Sequence, residues 1–210
     1  MRKILAKQVN KKLPLLIGAL VFANSAGAGD KAQSGVSPAQ TNAPAGFHET
    51  LSLQGLTFTL SSPNDQSINR LTIKTRGLKQ RAKPIYREID GTITGAEVAD
   101  LNVDGFPEVY VYVTSAGSGS YGSVVAYSSN KNKSLSEMYV TPIEHVKNAG
   151  QGYMGHDEFR VVESSLVRRF PVYRKGDINA KPTGGMRQIQ YKLKAGEAGW
   201  ILVPDRVEEY

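Results

Sequence analysis

Apolar and polar residues alternate with a period of two through much of this chain. The alternation is clearest in "LTFTL" (Leu56 to Leu60), "LTIKT" (Leu71 to Thr75), "EVYVYV" (Glu108 to Val113), "SVVAYS" (Ser123 to Ser128) and "RQIQYKL" (Arg187 to Leu193). β-Branched or aromatic residues in this rhythm predict half-buried strands. "EFRVVES" (Glu158 to Ser164), "LVRRFPVY" (Leu166 to Tyr173) and "GWILV" (Gly199 to Val203) predict three more. Clusters of Gly, Asn, Asp and Pro separate them at intervals typical of an antiparallel sandwich. The only stretch approaching a helical repeat is "SLSEMYVTPIEHVKN" (Ser134 to Asn148), and Pro142 interrupts it, so at most a short helix or irregular excursion is expected there. Parallel sheets need crossover helices that this pattern does not supply. The expected fold is therefore all-β, a small antiparallel β-sandwich without internal repeats.

The N-terminal segment follows a different pattern. Arg2, Lys3, Lys7, Lys11 and Lys12 precede an apolar run, "LPLLIGALVFANSAGA" (Leu13 to Ala28), that ends in small residues with Ala26 and Ala28 at signal-peptidase spacing. The continuously apolar part is too short for the ~20 residues that span a bilayer. Residues 1–28 are thus expected to be a secretory signal peptide, leaving no membrane span after processing, so that the mature protein is expected to be exported. Residues 29–46, "GDKAQSGVSPAQTNAPAG", lack apolar bulk and are expected to form a disordered tail. The folded domain is expected over 47–210.

Export changes the meaning of the charge. The full chain carries 26 Lys and Arg against 19 Asp and Glu, a net +7. Five of those cations lie in the leader, and without them the balance falls to +2. The remaining cations are scattered or in short groups such as Arg168 and Arg169, which argues against a nucleic-acid partner. The absence of cysteine removes disulfides, thiolate catalysis and cysteine-built zinc sites.

"SAGSGSYG" (Ser115 to Gly122) offers the most distinctive candidate chemistry. Gly117, Gly119 and Gly122 match the G-x-G-x-x-G spacing of a dinucleotide loop, but an alternating strand pattern follows in place of the required helix. No nucleophile elbow surrounds Ser118, since Ala116 and Ser120 occupy the positions where it needs glycine. His48, His145 and His156 are the only histidines. His156 stands beside Asp157 and Glu158, but neighbouring strand residues point to opposite faces, and turn chemistry at the surface is the expected role. No spaced set of acid, base and nucleophile is visible, so no enzymatic activity and no cofactor are expected, and a hydrolase using His156 ranks last.

"DLNVDGFPE" (Asp100 to Glu108) matches the first half of an EF-hand loop at Asp100, Asn102, Asp104 and Gly105. Val111 stands where the bidentate Glu should be. The expected structure is a turn whose Asp and Asn side chains cap backbone amides, with no metal and with Asp100, Asn102 and Asp104 as weak candidates only. Trp200 and Tyr110, Tyr112, Tyr127, Tyr173 and Tyr191 are expected in the core or at its rim. Tyr121, at the tip of a Gly/Ser loop, is the aromatic expected to serve recognition.

Taken together, "VADLNVDGFPEVYVYVTSAGSGSYGSVVAYS" (Val98 to Ser128), "QGYMGHDEF" (Gln151 to Phe159) and "PTGGMRQIQYKL" (Pro182 to Leu193) resemble the periplasmic inhibitors of invertebrate-type lysozyme. The resemblance implies a noncatalytic antiparallel β-sandwich whose S-G-x-Y loop enters the active-site cleft of a lysozyme. The corresponding positions are Ser118, Gly119 and Tyr121, with Ser120 at the variable position. Inhibitors of chicken-type lysozyme use a related S-G-x-x-Y loop with a second motif, Y-x-x-x-K-G. "YRKG" (Tyr173 to Gly176) has too short a spacer for that family. The expected partner is a lysozyme, with a homodimer left open. The alternative is a secreted carbohydrate- or calcium-binding β-module.

Overall fold

Thirteen strands account for most of the polypeptide in the computed structural model, which describes residues 46–210. The expected signal peptide (1–28) and, except for Gly46, the expected tail (29–46) lie outside the described residues. The first sheet is an antiparallel meander of β1 (Phe47–Leu53), β2 (Leu56–Ser62), β3 (Ile68–Arg76) and β4 (Ile85–Asp90). Gln54 and Gly55 join β1 to β2 with φ of 48° and 81°, the two positive values a tight hairpin of this twist demands. The second sheet repeats the meander with β5 (Thr92–Ala99), β6 (Glu108–Thr114), β7 (Gly122–Ser129) and β8 (Leu135–Glu137). The third contains β9 (Tyr139–Val140), β10 (Glu158–Val162), β11 (Ser165–Pro171), β12 (Met186–Ala195) and β13 (Trp200–Glu209), in the order β10-β11-β12-β13-β9.

The all-β, antiparallel class is as expected, with β9 against β13 the one parallel pair among the named strands. All eight strands predicted from alternation are present. The Ser134–Asn148 stretch contributes β8, β9 and a single 3-10 turn over Ile143–His145, directly after Pro142. Among the described residues no helix is long and apolar enough to cross a membrane.

A single residue carries the chain from the first sheet to the second. Gly91, between β4 and β5, has φ 125°, and a Cβ there would lie 2.1 Å from the carbonyl oxygen of Thr114. Only glycine allows this corner to close against the end of β6.

Strand β6 departs from a half-buried reading, because every residue from Glu108 to Val113 is buried. Val109, Val111 and Val113 pack with Leu56, Phe58, Leu60, Leu71 and Ile73 of the first sheet. Tyr110 and Tyr112 pack on the other side with Leu166, Phe170, Ile189 and Tyr191 of the third. The second sheet is therefore covered on both faces, and the molecule has two cores rather than the single one of a simple sandwich. Tyrosine makes this possible by burying a large ring and satisfying its hydroxyl, as Tyr112 does by donating to Glu97. Burial, with that hydrogen bond second, pushes the Tyr112 phenol well above its usual range. Tyr127, Tyr173 and Tyr191 are buried as expected, and Trp200 packs against the second core.

Candidate functional site

β6 and β7 pair in register from Glu108↔Ser128 to Thr114↔Gly122, so the seven residues between them, 115–121, must form a loop at the end of the hairpin. Serine and glycine fit this role because the loop turns twice within a few residues. The Ser115 amide donates to the Tyr121 carbonyl at 2.9 Å, and the Tyr121 amide donates to Ser115 Oγ at 3.1 Å. At the tip, the Ser120 amide donates to the Gly117 carbonyl at 3.1 Å and Ser120 takes φ 45°. Ala116, Gly117 and Ser118 are exposed, and Gly119 and Ser120 are half-buried.

Tyr121 is 48% exposed and rests on a platform. Its ring meets the Tyr153 ring edge-on with centroids 5.6 Å apart. It also lies over Gly119, where an added Cβ would come within 2.4 Å of it. The sequence offers no packing partner for this tyrosine, since Tyr153 comes from a distant loop. One edge of the ring is thus held by the protein while the remainder faces solvent.

The loop is fastened from behind through its backbone. The His156 amide donates to the Gly119 carbonyl at 2.8 Å, and Asn179 Nδ2 donates to the Ser118 carbonyl at 2.5 Å. Asn179 Oδ1 also lies 2.9 Å from His156 Nε2, and the Asn179 carbonyl accepts from the Tyr173 hydroxyl at 2.8 Å. Gly155 has φ 86°, and a Cβ there would sit 2.0 Å from the Gly119 carbonyl oxygen. The approach of these two segments therefore depends on glycine at 155. These contacts engage main-chain groups. Among the described residues the hydroxyls of Ser118, Ser120 and Tyr121 form no hydrogen bond within the chain.

Beneath the loop lies a buried charge pair. Asp157 Oδ1 accepts from Arg168 Nε at 2.7 Å, with the two side chains 0% and 9% exposed. Asp157 Oδ2 accepts from the Gly122 amide at 2.7 Å and from the Tyr153 hydroxyl at 2.6 Å, and that hydroxyl accepts from Arg168 Nη2 at 2.6 Å. Arg168 also lies over the Tyr153 and Phe159 rings, at 5.0 and 5.4 Å from their centroids. Burial opposes the Arg168 charge, but the hydrogen bond and attraction of Asp157 outweigh it and raise its pKa. Because both Asp157 oxygens and the Tyr153 hydroxyl are engaged, the network can be rigid. It links the start of β7 to β11 and to the tyrosine under Tyr121.

These supports were not legible as such. His156 and Asp157 read as surface turn chemistry and Arg168 as a local basic group, whereas the side chains of Asp157 and Arg168 are buried. The neighbouring Glu158 and Arg169, by contrast, form an exposed pair at 2.6 Å. A usable signal existed in the inward position of Arg168 between Leu166 and Phe170, since a buried arginine demands an acid.

The Asp100–Glu108 turn has the expected capping form. Asp100 accepts from the Asp104 amide at 3.0 Å and the Gly105 amide at 2.9 Å, Asn102 Oδ1 accepts from the Asp104 amide at 3.2 Å, and Gly105 has φ 83°. The turn precedes β6 and the Ser118–Tyr121 loop follows it. The two features lie at opposite ends of one strand, about 20 Å apart at ~3.3 Å per residue.

Comparison with known proteins bears on one segment. No curated protein and no solved structure matches the chain. The resemblance seen in the sequence is borne out by a family model that covers β5, β6, β7, β10 and the loop at their centre: residues 78–166 match PliI, the periplasmic lysozyme inhibitor of I-type lysozyme.

Proposed function

We propose that this protein is exported to the periplasm and inhibits I-type lysozyme by inserting the Ser118–Tyr121 loop into the enzyme's active-site cleft, with no catalytic activity of its own. The observation that supports this most is the division of labour in the loop. Its main chain is tied down by His156, Asn179 and Asp157, through the neighbouring Gly122, while the Ser118, Ser120 and Tyr121 hydroxyls are uncommitted among the described residues.

Lysozymes cleave glycosidic bonds with two acidic side chains, one protonated and one ionised. Serine and tyrosine hydroxyls suit both states, because they donate to a carboxylate and accept from a carboxylic acid. Three chain steps separate Ser118 from Tyr121, allowing their α-carbons to lie up to roughly 10 Å apart and their side chains to reach different parts of one cleft. Gly117, Gly119 and Gly122 keep the loop narrow. A loop already held in shape loses little conformational entropy on docking, which favours affinity from a small contact. The net charge of +2 after removal of the leader supplies no general attraction to a basic enzyme, so recognition rests on the loop and its surroundings.

Turbidity assays of peptidoglycan lysis with purified I-type, chicken-type and goose-type lysozymes test this reading. The expected result is inhibition of the I-type enzyme at about micromolar concentration or below. Undiminished lysis by that enzyme would end it.

A further inference from the structure

Glu108 begins β6 and is 0% exposed, an unusual place for a carboxylate that has no arginine or lysine paired with it among the described residues. Its Oε2 accepts from the Leu101 amide at 2.9 Å and from the Tyr110 hydroxyl at 3.4 Å. Its Oε1 is buried without a hydrogen-bond partner among the described residues. Leaving a charged oxygen in this condition costs several kcal/mol unless something else meets it. The groups nearest to hand make matters worse, since carboxylate oxygens of Asp100, Asp104 and Glu108 all lie within 4.8 Å of one another.

Three carboxylates lie close enough to share one cation, one of them keeps a buried oxygen without a partner, and among the described residues no side chain supplies the positive charge. We propose that Asp100, Asp104 and Glu108, with the amide oxygen of Asn102, form a calcium site that ties the turn after β5 to the start of β6.

The donor set is all oxygen, which excludes the softer metals that prefer imidazole or thiolate. Calcium accepts such carboxylate-rich, irregular arrangements, whereas magnesium requires a near-ideal octahedron and retains several waters. The turn is also already wound for the purpose. Asp100 and Asn102 are oriented by the Asp104 and Gly105 amides, and Gln54 Nε2 donates to Asp100 Oδ2 at 2.7 Å. The EF-hand spacing seen in the sequence fails at its twelfth position because the acidic ligand arrives at the ninth, as Glu108. This inference stands apart from the inhibitory loop, which lies at the far end of β6.

Calorimetric titration of the purified protein, first freed of metal by chelation, with calcium chloride tests the site. The expected result is saturable binding of one calcium ion per chain with Kd between about 10⁻⁵ and 10⁻³ M, and a higher melting temperature in calcium. Asp104→Asn, an exposed change that keeps an oxygen for the Phe106 amide, should weaken binding at least ~10-fold, as should Glu108→Gln. Should Glu108→Gln fail to fold, Asp104→Asn carries the test alone. Absence of both heat and thermal shift in ~10 mM calcium would overturn the proposal. Equal binding of magnesium chloride, or unchanged binding by Asp104→Asn, would overturn it as well.

Discussion

Replacing Tyr121 by alanine is expected to weaken inhibition of an I-type lysozyme by about 30- to 1,000-fold, the span of an interface hot spot worth 2–4 kcal/mol. Two features place the loss here. The ring is an aromatic anchor at the end of a hairpin, half exposed and resting edge-on against Tyr153, so it is ordered before it meets a partner. Its hydroxyl is uncommitted among the described residues. Tyr121→Phe divides these contributions, because it retains the ring and its platform and removes only the hydroxyl. If that hydroxyl meets a catalytic acid, Tyr121→Phe should cost about 10- to 100-fold, the worth of a hydrogen bond to a charged group. The melting temperature should fall by no more than a few degrees in either variant, since an exposed edge-on ring contact contributes roughly 1 kcal/mol to folding. Inhibition constants and thermal melts of the two purified variants check both statements. Full inhibition by Tyr121→Ala would remove Tyr121 from the site.

The second large effect is expected at a residue that need not touch the enzyme. Asp157→Ala leaves Arg168 buried without its acid, the Gly122 amide without an acceptor and the Tyr153 hydroxyl with one partner fewer. Breaking a buried pair in this way costs about 3–5 kcal/mol of stability. Urea unfolding followed by Trp200 fluorescence measures the loss. Inhibition should weaken too, even where the variant remains folded, because Asp157 holds the first residue of β7 and the tyrosine under Tyr121. Arg168→Ala should reproduce both effects, since it leaves Asp157 as the unpaired charge. A folded Asp157→Ala protein with unaltered stability would show that the network carries no strain-free rigidity of the kind argued here.

The strand pattern of the chain was largely legible because alternation records burial directly. β2 is the clearest case, with Leu56, Phe58, Leu60 and Ser62 buried and the residues between them only half so. The pattern understated the architecture at β6, where valines and tyrosines alternate between two apolar environments of different kinds. Tyr110 and Tyr112 count as polar partners in a period-two reading and as core in the folded protein. The edges were harder. β1, which alternates only between exposed His48, Thr50 and Ser52 and half-buried Phe47, Glu49 and Leu51, and β4, whose Tyr86, Arg87 and Glu88 are exposed, carry little apolar contrast and acquire their form from pairing with neighbours.

The candidate loop was also visible, because glycine and serine between two strands leave few alternatives to a hairpin end. Its fastenings were not. Tyr153, Asp157, Arg168 and Asn179 lie 35 to 61 residues away in the chain, and no local rule links them to Ser118. Burial of an arginine inside β11 was the one trace they left. At the other end of β6 the acidic turn was readable as a capping motif, but the part played by Glu108 depended on knowing that its carboxylate is enclosed.

Cleft occupancy is tested most directly by competition. Inhibition of an I-type lysozyme is measured at increasing concentrations of an N-acetylglucosamine oligosaccharide that fills the substrate cleft. If the Ser118–Tyr121 loop occupies that cleft, the apparent inhibition constant rises in proportion to oligosaccharide occupancy and no ternary complex forms. An inhibition constant independent of the oligosaccharide, with enzyme, inhibitor and sugar migrating together, would contradict the account.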